Sequence, residues 1–376
     1  MTALQNLRQI LRTISESVEV LPAVGGAEED LERPDFEERE DQIFNKDESI
    51  FDTIFECDSS RRMPSLYRQV PPIGRTKNHF FRYFLDGSFR SYFLGTLLEN
   101  ERETPVYFAQ VGACALRRED DGTMRREFLQ MENILLVGKE RLSEALWTRL
   151  ETLASETGIK LVDITEKDTI SETLSDFDLR NKAAGKVRFV MHNLESAVIQ
   201  SVLPKLSNSS WLIVDGSLLF NPTLELLSKD GQIKPVIGVA KNFRKDPQFV
   251  FGRGPRAERY SIYRLLADLR AENRTAAFSA RDGRLVFWYV RLREQKHLDY
   301  PLMGVVKVEL VNPSREPVPT ELIDLISRTL VAERSVTPHG QDRRWHVHLY
   351  PIFLAECAVK ESFLSREVVH HFLKWR

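Results

Sequence analysis

The chain has 376 residues, of which 42% are hydrophobic and 10% aromatic, so it can bury a full core as one large domain or two ordinary ones. Its 53 basic and 55 acidic residues give a formal net charge of −2, so any contact with nucleic acid must come from a local patch. The three dispersed cysteines argue against a disulfide framework or a paired-cysteine zinc site, and no apolar run approaches the roughly 18 residues that span a membrane, so we expect a cytoplasmic protein.

Apolar residues at helical spacing open the chain. They recur every three or four positions and predict an amphipathic helix that docks on another surface rather than a cleaved leader. These residues are Leu4, Leu7, Leu11, Ile14 and Val18.

An acidic segment follows this helix. Between Glu28 and Asp58 the chain carries fourteen acidic and three basic residues, a composition typical of a solvated or disordered segment. Apolar pairs at 43–44, 50–51 and 54–55 nevertheless suit one helical stripe. Two interpretations stay open: a surface helix packed on its own domain, or an arm that binds another subunit.

From about residue 80 the sequence is typical of strands. Residues 80–93, 106–116 and 128–137 are rich in aromatic and β-branched residues and are separated by polar turn signals. They predict a three-stranded antiparallel meander.

Helices and further strands are predicted after the meander. Helical patterns cover 143–153 and 190–203, and Pro204 ends the second. Short apolar runs at 211–214 and 236–240 predict central strands covered on both faces, with further strands at 285–293 and 303–310 and helices at 320–330 and 366–374. We therefore predict one mixed α/β domain, residues 76–376, preceded by an N-terminal helical and acidic extension, residues 1–75.

Two similar motifs each deliver one aspartate from an apolar run into a glycine and a serine. The first ends in Asp86-Gly87-Ser88 and the second in Asp215-Gly216-Ser217. An acid at the end of a buried strand is costly unless a positive group, usually a metal ion, neutralises it.

The order of the elements favours an RNase H-like nuclease core. In such a core a first strand with an acid precedes two antiparallel strands, a helix, and a strand with a further acid. Two divalent ions about 4 Å apart can stabilise both the attacking and the leaving oxygen of a phosphodiester, and carboxylates hold such ions. Glu195 lies on the apolar side of its predicted helix, where it could be a third acid, the partner of a core arginine, or a residue at the edge of the stripe.

An ordered set of motifs resembles the NurA family. The set includes the two Asp-Gly-Ser motifs, Glu195 twenty positions before the second, the segment at 236–241, the strand at 288–292, and Tyr350-Pro351. The resemblance covers about residues 78–375. It implies a metal-dependent DNA nuclease of RNase H-like fold that acts in DNA end processing or repair.

Residue by residue, the resemblance implies that Asp86, Glu195 and Asp215 hold Mn²⁺ or Mg²⁺. It also matches a family tyrosine to Tyr289, for which packing in the core is an equal alternative. It further implies a homodimer that works with a hexameric ATPase of the HerA type. The chain departs from the family at Ala358, where a histidine often follows the tyrosine of the Tyr350-Pro351 segment by eight residues.

Several residues are candidates to replace the absent histidine. His346 and His348 would share one face of a probable strand, and His370-His371 lies in the last predicted helix. Glu356 is an alternative as a fourth oxygen ligand. Each histidine is also compatible with an ordinary surface or core position.

The best candidate for nucleic-acid binding runs from Lys241 to Arg264. Lys241 ends a predicted central strand and could reach the scissile phosphate, or it could be an ordinary surface lysine. The segment holds seven basic and two acidic residues with interleaved aromatics, a composition that suits a single nucleic-acid strand. Its other candidate contacts are Arg244, Lys245, Arg253 and Arg256.

Other catalytic motifs are absent from the sequence. There is no Walker A motif, no GxSxG elbow, no HExxH motif and no dinucleotide fingerprint after a strand. Two functions remain: a metal-dependent DNA nuclease, or a NurA-like subunit with weak or lost activity that binds DNA or the ATPase.

Overall fold

The computed structural model describes residues 2–23, 31, 50–51, 54–58, 65–74, 79–165, 176–243, 248–251, 258–294, 300–335, 345–372 and 375. Its helices are α1 Thr2–Ser17, α2 Glu144–Thr157, α3 Asp176–Val202, α4 Asn221–Ser228, α5 Ile262–Ala267, α6 Thr320–Glu333, α7 Tyr350–Lys360 and α8 Arg366–Phe372.

The strands are β1 Glu19–Pro22, β2 Ile50–Phe51, β3 Glu56–Cys57, β4 Tyr67–Gln69, β5 Phe81–Glu99, β6 Arg102–Arg118, β7 Met124–Val137, β8 Lys160–Asp163, β9 Trp211–Asp215, β10 Val236–Ala240, β11 Gln248–Phe251, β12 Glu258–Ser261, β13 Asn273–Thr275, β14 Phe278–Ala280, β15 Leu285–Arg291, β16 Val305–Val311 and β17 Val318–Pro319.

One large mixed sheet dominates the fold. Its main path runs β4-β13-β15-β16-β10-β9-β5-β6-β7-β8, with β1 added on β5 and β14 on β15. Within it, β7, β6 and β5 pair antiparallel, whereas β9 is parallel to β5 and β10 is parallel to β9. This is the strand arrangement predicted for an RNase H-like core, and the predicted α/β fold class is confirmed.

Helices cover both faces of the sheet. On one face, apolar residues of α3 and α5 pack against alternate residues of β5, β6, β9 and β15. On the other face, α6 and α7 pack against the intervening residues. Strands buried on both faces are apolar throughout, which explains why the runs at β9 and β10 do not alternate.

The predicted meander forms, with longer strands than predicted. The hairpin between β5 and β6 turns at Asn100 and Glu101, which both have positive φ, as a type I′ turn requires. Gly95 lies at a register shift in β5, where an added Cβ would come within 2.5 Å of the Leu21 carbonyl oxygen. Glycine there allows β1 to pair with β5.

The structure corrects two predictions of local structure. Residues 50–51 form a short strand and Ile54 forms a β-bridge to Phe278, rather than parts of one helical stripe, while residues 43–44 lie outside the described residues. Residues Trp345–Val347 form a 3₁₀ helix rather than a strand, so His346 and His348 do not share a strand face. In both cases tertiary pairing decides the structure of a short segment with weak local preference.

The N-terminal helix packs on the rest of the chain. Leu7, Leu11 and Ile14 of α1 are buried in a cluster with Tyr92, Phe108 and residues of α2 and α8. Strands β1 and β4, from the first 75 residues, pair with β5 and β13 of the main sheet. Among the described residues, no helix combines the length and apolar composition needed to cross a membrane.

Candidate functional site

Asp86 lies in the middle of β5 rather than at its end. Parallel pairing of β5 with β9 stops at Leu85 and Val214, so Asp86 is the first residue of β5 beyond that pairing. Its antiparallel partner, Cys114, belongs to the apolar cluster that packs against α7. Because directly paired residues of neighbouring strands point to the same face, Asp86 also faces the α7 side of the sheet. It is buried there, with 6% exposure.

Asp215 ends β9 beside Asp86 and forms an ion pair. The Lys241 Nζ atom donates to the Asp215 Oδ2 atom at 2.8 Å. Lys241 directly follows β10, which is parallel to β9, so the two residues leave the sheet at the same edge. Gly216 then turns the chain with φ of 97°, a value that strongly favours glycine.

Asp86 is buried close to the carboxylates of Asp215 and Glu356 and to the ammonium group of Lys241. Burial raises the pKa of Asp86 well above its ordinary value, and the negative charges of Asp215, Glu356 and Glu195 raise it further. The charge of Lys241 opposes these effects without cancelling them. Burial and these neighbouring charges therefore favour the protonated form of Asp86 in the metal-free protein.

Glu356 on α7 joins this group. Burial favours its protonated form, but hydrogen bonding and charge from Lys360, with the charges of Lys241 and His348, leave the pKa of Glu356 lowered. Lys360 donates to the Glu356 carboxylate at 2.6 Å. Burial alone would lower the pKa of Lys241. The nearby carboxylates of Asp215 and Asp86 outweigh the effect of burial, so the pKa of Lys241 is raised and its ammonium group stays charged.

Glu195 approaches from the other side of β5. It is buried on α3, as its sequence position predicted, and its Oε1 atom lies 2.2 Å from where a Cβ on Gly87 would stand. Successive residues of a strand point to opposite faces, so Glu195 occupies the α3 side while Asp86 faces α7. A glycine at 87 leaves the space that the glutamate fills.

His192 is a contact that the sequence predictions missed. Its Nδ1 atom lies 2.8 Å from the Glu195 Oε2 atom, so the imidazole, and not a core arginine, is the partner of Glu195. The two residues are three positions apart on α3, a spacing that places side chains together on a helix. That spacing was the available signal.

Glu309 is a second missed residue. It is fully buried on β16, where it accepts hydrogen bonds from the Ser217 hydroxyl and the Leu218 backbone N–H, each at 2.8 Å, and pairs with Lys307 at 2.7 Å. These bonds fix the turn that follows Asp215. A glutamate two positions after a lysine inside the mainly apolar strand at 305–311 was its only sequence signal.

The other candidates are more scattered. Tyr289 is buried among Phe243 and Phe287 on the α3 side of the sheet, a position that favours the packing interpretation. Ala358 lies on α7 beside an apolar cluster, and His371 is exposed on α8. Outside the described residues lie the placements of Arg244, Lys245, Arg253 and Arg256 and of the His370 side chain.

The carboxylates suit a hard cation in their chemistry but not in their present arrangement. Among the described residues, no three Asp, Glu, His or Cys side chains are grouped so that they could hold a metal ion. Two contacts account for this: Lys241 binds Asp215, and Glu195 lies across β5 from Asp86. The metal-binding atoms would nevertheless be carboxylate oxygens, which Mn²⁺ and Mg²⁺ prefer, and Asp86 is a buried acid close to other acids.

No protein-family model matches the chain, and no curated protein shows a significant sequence match to it. The resemblance to the NurA family therefore rests on the motifs and their order alone.

Proposed function

We propose that the protein is a metal-dependent nuclease that hydrolyses phosphodiester bonds in DNA. The observation that carries this proposal is the buried Asp86 carboxylate, which lies beside those of Asp215 and Glu356. Such a group is costly unless a cation neutralises it. The strand order around it is that of an RNase H-like core.

Asp86 and Asp215, with Glu195 or Glu356, would hold Mn²⁺ or Mg²⁺. When bound, such an ion stabilises the negative charge that develops on the attacking and leaving oxygens of a phosphodiester. Lys241 would have to leave Asp215, and its ammonium would then be available to a phosphate of the substrate.

Two further residues would position the acids. His192 holds the Glu195 carboxylate through its Nδ1 atom, as residues around metal ligands commonly do. Glu309 fixes the turn after Asp215 through Ser217 and Leu218.

The proposed partners come from the resemblance to NurA. They are a HerA-type hexameric ATPase that feeds DNA to the nuclease and a second copy of the chain, acting in the cytoplasm in DNA end processing. The absence of a Walker A motif means that any dependence on ATP would come from such a partner.

A second candidate function is a NurA-like subunit that binds DNA or the ATPase with little or no cleavage. Two observations favour it: Ala358 stands where the family often has a histidine, and the Asp215 carboxylate is already paired with Lys241.

A cleavage assay distinguishes the two functions. End-labelled DNA is incubated with the purified protein and Mn²⁺, with and without chelator, and Asp215→Asn is compared with Asp230→Asn, which removes the charge of another lysine-paired aspartate outside the site. We expect chelator to abolish cleavage and Asp215→Asn to slow it at least roughly 100-fold, with Asp230→Asn unchanged. Binding of DNA without Mn²⁺-dependent cleavage would favour the second function, and full activity of Asp215→Asn would remove Asp215 from the site.

A further inference from the structure

The middle part of α3 is rich in cations. Between residues 179 and 194 the helix has four basic residues and no acidic one. Among them, Lys182, Lys186 and Arg188 are half-buried, whereas Phe189 beside them is 53% exposed. The net charge of the whole chain is −2, so the positive charge of this stretch is opposite in sign to that of the chain as a whole.

A glycine opens the same part of the helix. Gly185, Phe189 and His192 are four and three positions apart and therefore lie on one face. A Cβ on Gly185 would meet no atom within 4 Å, so no described residue covers the helix there. Glycine within a helix costs about 0.5–1 kcal/mol relative to alanine. Packing against the described residues does not explain a glycine at position 185, whereas close approach of another chain would.

Ring contacts connect Phe189 to the candidate site. Its ring packs edge-on against that of Phe220 at a centroid distance of 5.6 Å, and the His192 ring lies 5.4 Å from the Phe220 ring. His192 in turn holds Glu195. The exposed Phe189 ring thus packs against the buried Phe220 ring. Phe189 also lies about one helical turn from His192, the residue that contacts Glu195.

We propose that this surface, the α3 face (Lys182, Gly185, Lys186, Arg188 and Phe189), binds single-stranded DNA next to the candidate site. Its cations contact the phosphates and Phe189 stacks on a base, a combination typical of surfaces that follow one strand. Only an unpaired base offers its face for such stacking. The assignment rests on the proposed function, because it gives the substrate of that site its path.

The α3 face differs from the segment that the sequence analysis favoured. In that segment Lys241, the first candidate contact, forms an ion pair with Asp215 at the edge of the sheet. The face on α3 instead lies on the side of β5 from which Glu195 approaches.

The charge of the α3 face is tested by Lys182→Gln/Lys186→Gln. Binding of fluorescein-labelled oligothymidylate is measured by fluorescence anisotropy in chelator over a range of salt concentrations, so that no cleavage contributes. We expect affinity to fall roughly tenfold and the salt dependence to fall by about 1.4 in slope, for two lost contacts to a single strand. Arg149→Gln/Lys229→Gln removes the same charge from exposed positions elsewhere and should bind as the parent does.

Stacking is tested by Phe189→Ala and Phe189→Tyr. Loss of the ring should weaken binding roughly 5- to 100-fold, whereas tyrosine keeps the ring and should retain the affinity. Leu325→Ala, which truncates an exposed apolar residue on α6, is the matched control. Thermal melts identify any variant that fails to fold, and Phe189→Tyr keeps the test valid if Phe189→Ala is one of them.

The inference is overturned if the charge variant and Phe189→Ala bind oligothymidylate as the controls do, or if duplex DNA binds better than the single strand. Cleavage by the parent with Mn²⁺ is measured separately. Cleavage together with unchanged binding by the α3 variants would refute this surface alone, whereas a parent that neither binds nor cleaves DNA would refute the proposed function as well.

Discussion

Asp86 is the residue whose surroundings are hardest to explain without a bound cation. Its carboxylate is buried and faces the charges of Asp215 and Glu356. Because burial raises the pKa of Asp86 in the folded state, the acid form is favoured there. Its contribution to stability is fully present below the unfolded pKa and is lost as the pH rises through the folded pKa.

Asp86→Asn should therefore stabilise the metal-free protein at neutral pH. An amide does not ionise, so the gain over the parent should grow as the pH rises through the folded pKa of Asp86 and vanish below its unfolded pKa. The measurement is the free energy of unfolding in urea, in chelator, across pH. Asp282→Asn, at an exposed position, is the control, and parallel pH profiles for parent and Asp86→Asn would contradict the account.

The sequence was sufficient to select the acids but not their partners. Asp86, Asp215 and Glu195 follow from two local motifs and a helical stripe. The structure places Asp86 and Asp215 side by side at the junction of β5 and β9, but it places Glu195 on the opposite side of β5. The ion pair of Lys241 with Asp215 and the hydrogen bonds of Glu309 join residues distant in the chain. No local pattern encodes such contacts, although the spacing of His192 and Glu195 would have allowed that pair to be found.

At the scale of elements, the closeness of α3 to β5 depends on Gly87. The Glu195 carboxylate fills the space that a side chain at position 87 would need, and Met191 Cγ lies 2.9 Å from the same point. The Asp-Gly-Ser motif of β5 therefore supplies more than an acidic residue. Its glycine leaves the space in which Glu195 of the facing helix α3 packs.

Gly87→Ala should displace Glu195 and destabilise the fold. The added methyl group would clash with the Glu195 Oε1 atom, and overpacking of this kind costs about 1–3 kcal/mol. The measurement is urea unfolding combined with the cleavage assay, in which Gly87→Ala should be slower than the parent. Gly74→Ala is the control because nothing lies within 4 Å of a Cβ there; equal stability and activity of the two variants would rule out this contact.

Element prediction succeeded where the hydrophobic pattern was long and failed where it was short. The run at 236–240 predicts β10 with its observed bounds, and the meander strands are longer than predicted because partner strands extend them beyond their apolar centres. The strands at 50–51 and 56–57 and the 3₁₀ helix at 345–347 are each two or three residues long. The structure of such short segments depends on distant partners, such as β17 for β3.

At the scale of the whole molecule, a buried ion network ties the N-terminal part to the sheet and α6. The Arg274 guanidinium bonds Glu56 at 2.8 Å and Asp324 at 2.6 Å, and Arg68 also pairs with Asp324. Arg274 and the Glu56 side chain are fully buried. Burial raises the pKa of Glu56, while Arg274 lowers it without overcoming the effect of burial.

Arg274→Leu should destabilise the protein by about 3–5 kcal/mol, because it leaves a buried acid without its partner. The loss should be larger at high pH. Because the pKa of Glu56 is raised in the folded state, its contribution to stability is fully present below its unfolded pKa and is lost as the pH rises through its folded pKa. The measurement is the urea unfolding midpoint at acidic and alkaline pH. Glu56→Gln/Arg274→Leu should recover part of the loss, and a double variant no more stable than Arg274→Leu would show that the pair is not coupled.

The central claim is that Asp86 and Asp215 share a divalent cation, and anomalous diffraction from a crystal soaked in Mn²⁺ tests it most directly. We predict an anomalous peak about 2.2 Å from carboxylate oxygens of both residues, a typical oxygen–metal distance, with the Lys241 ammonium moved away from Asp215. A map without a peak at this junction, with Lys241 still bonded to Asp215 at saturating Mn²⁺, would contradict the account.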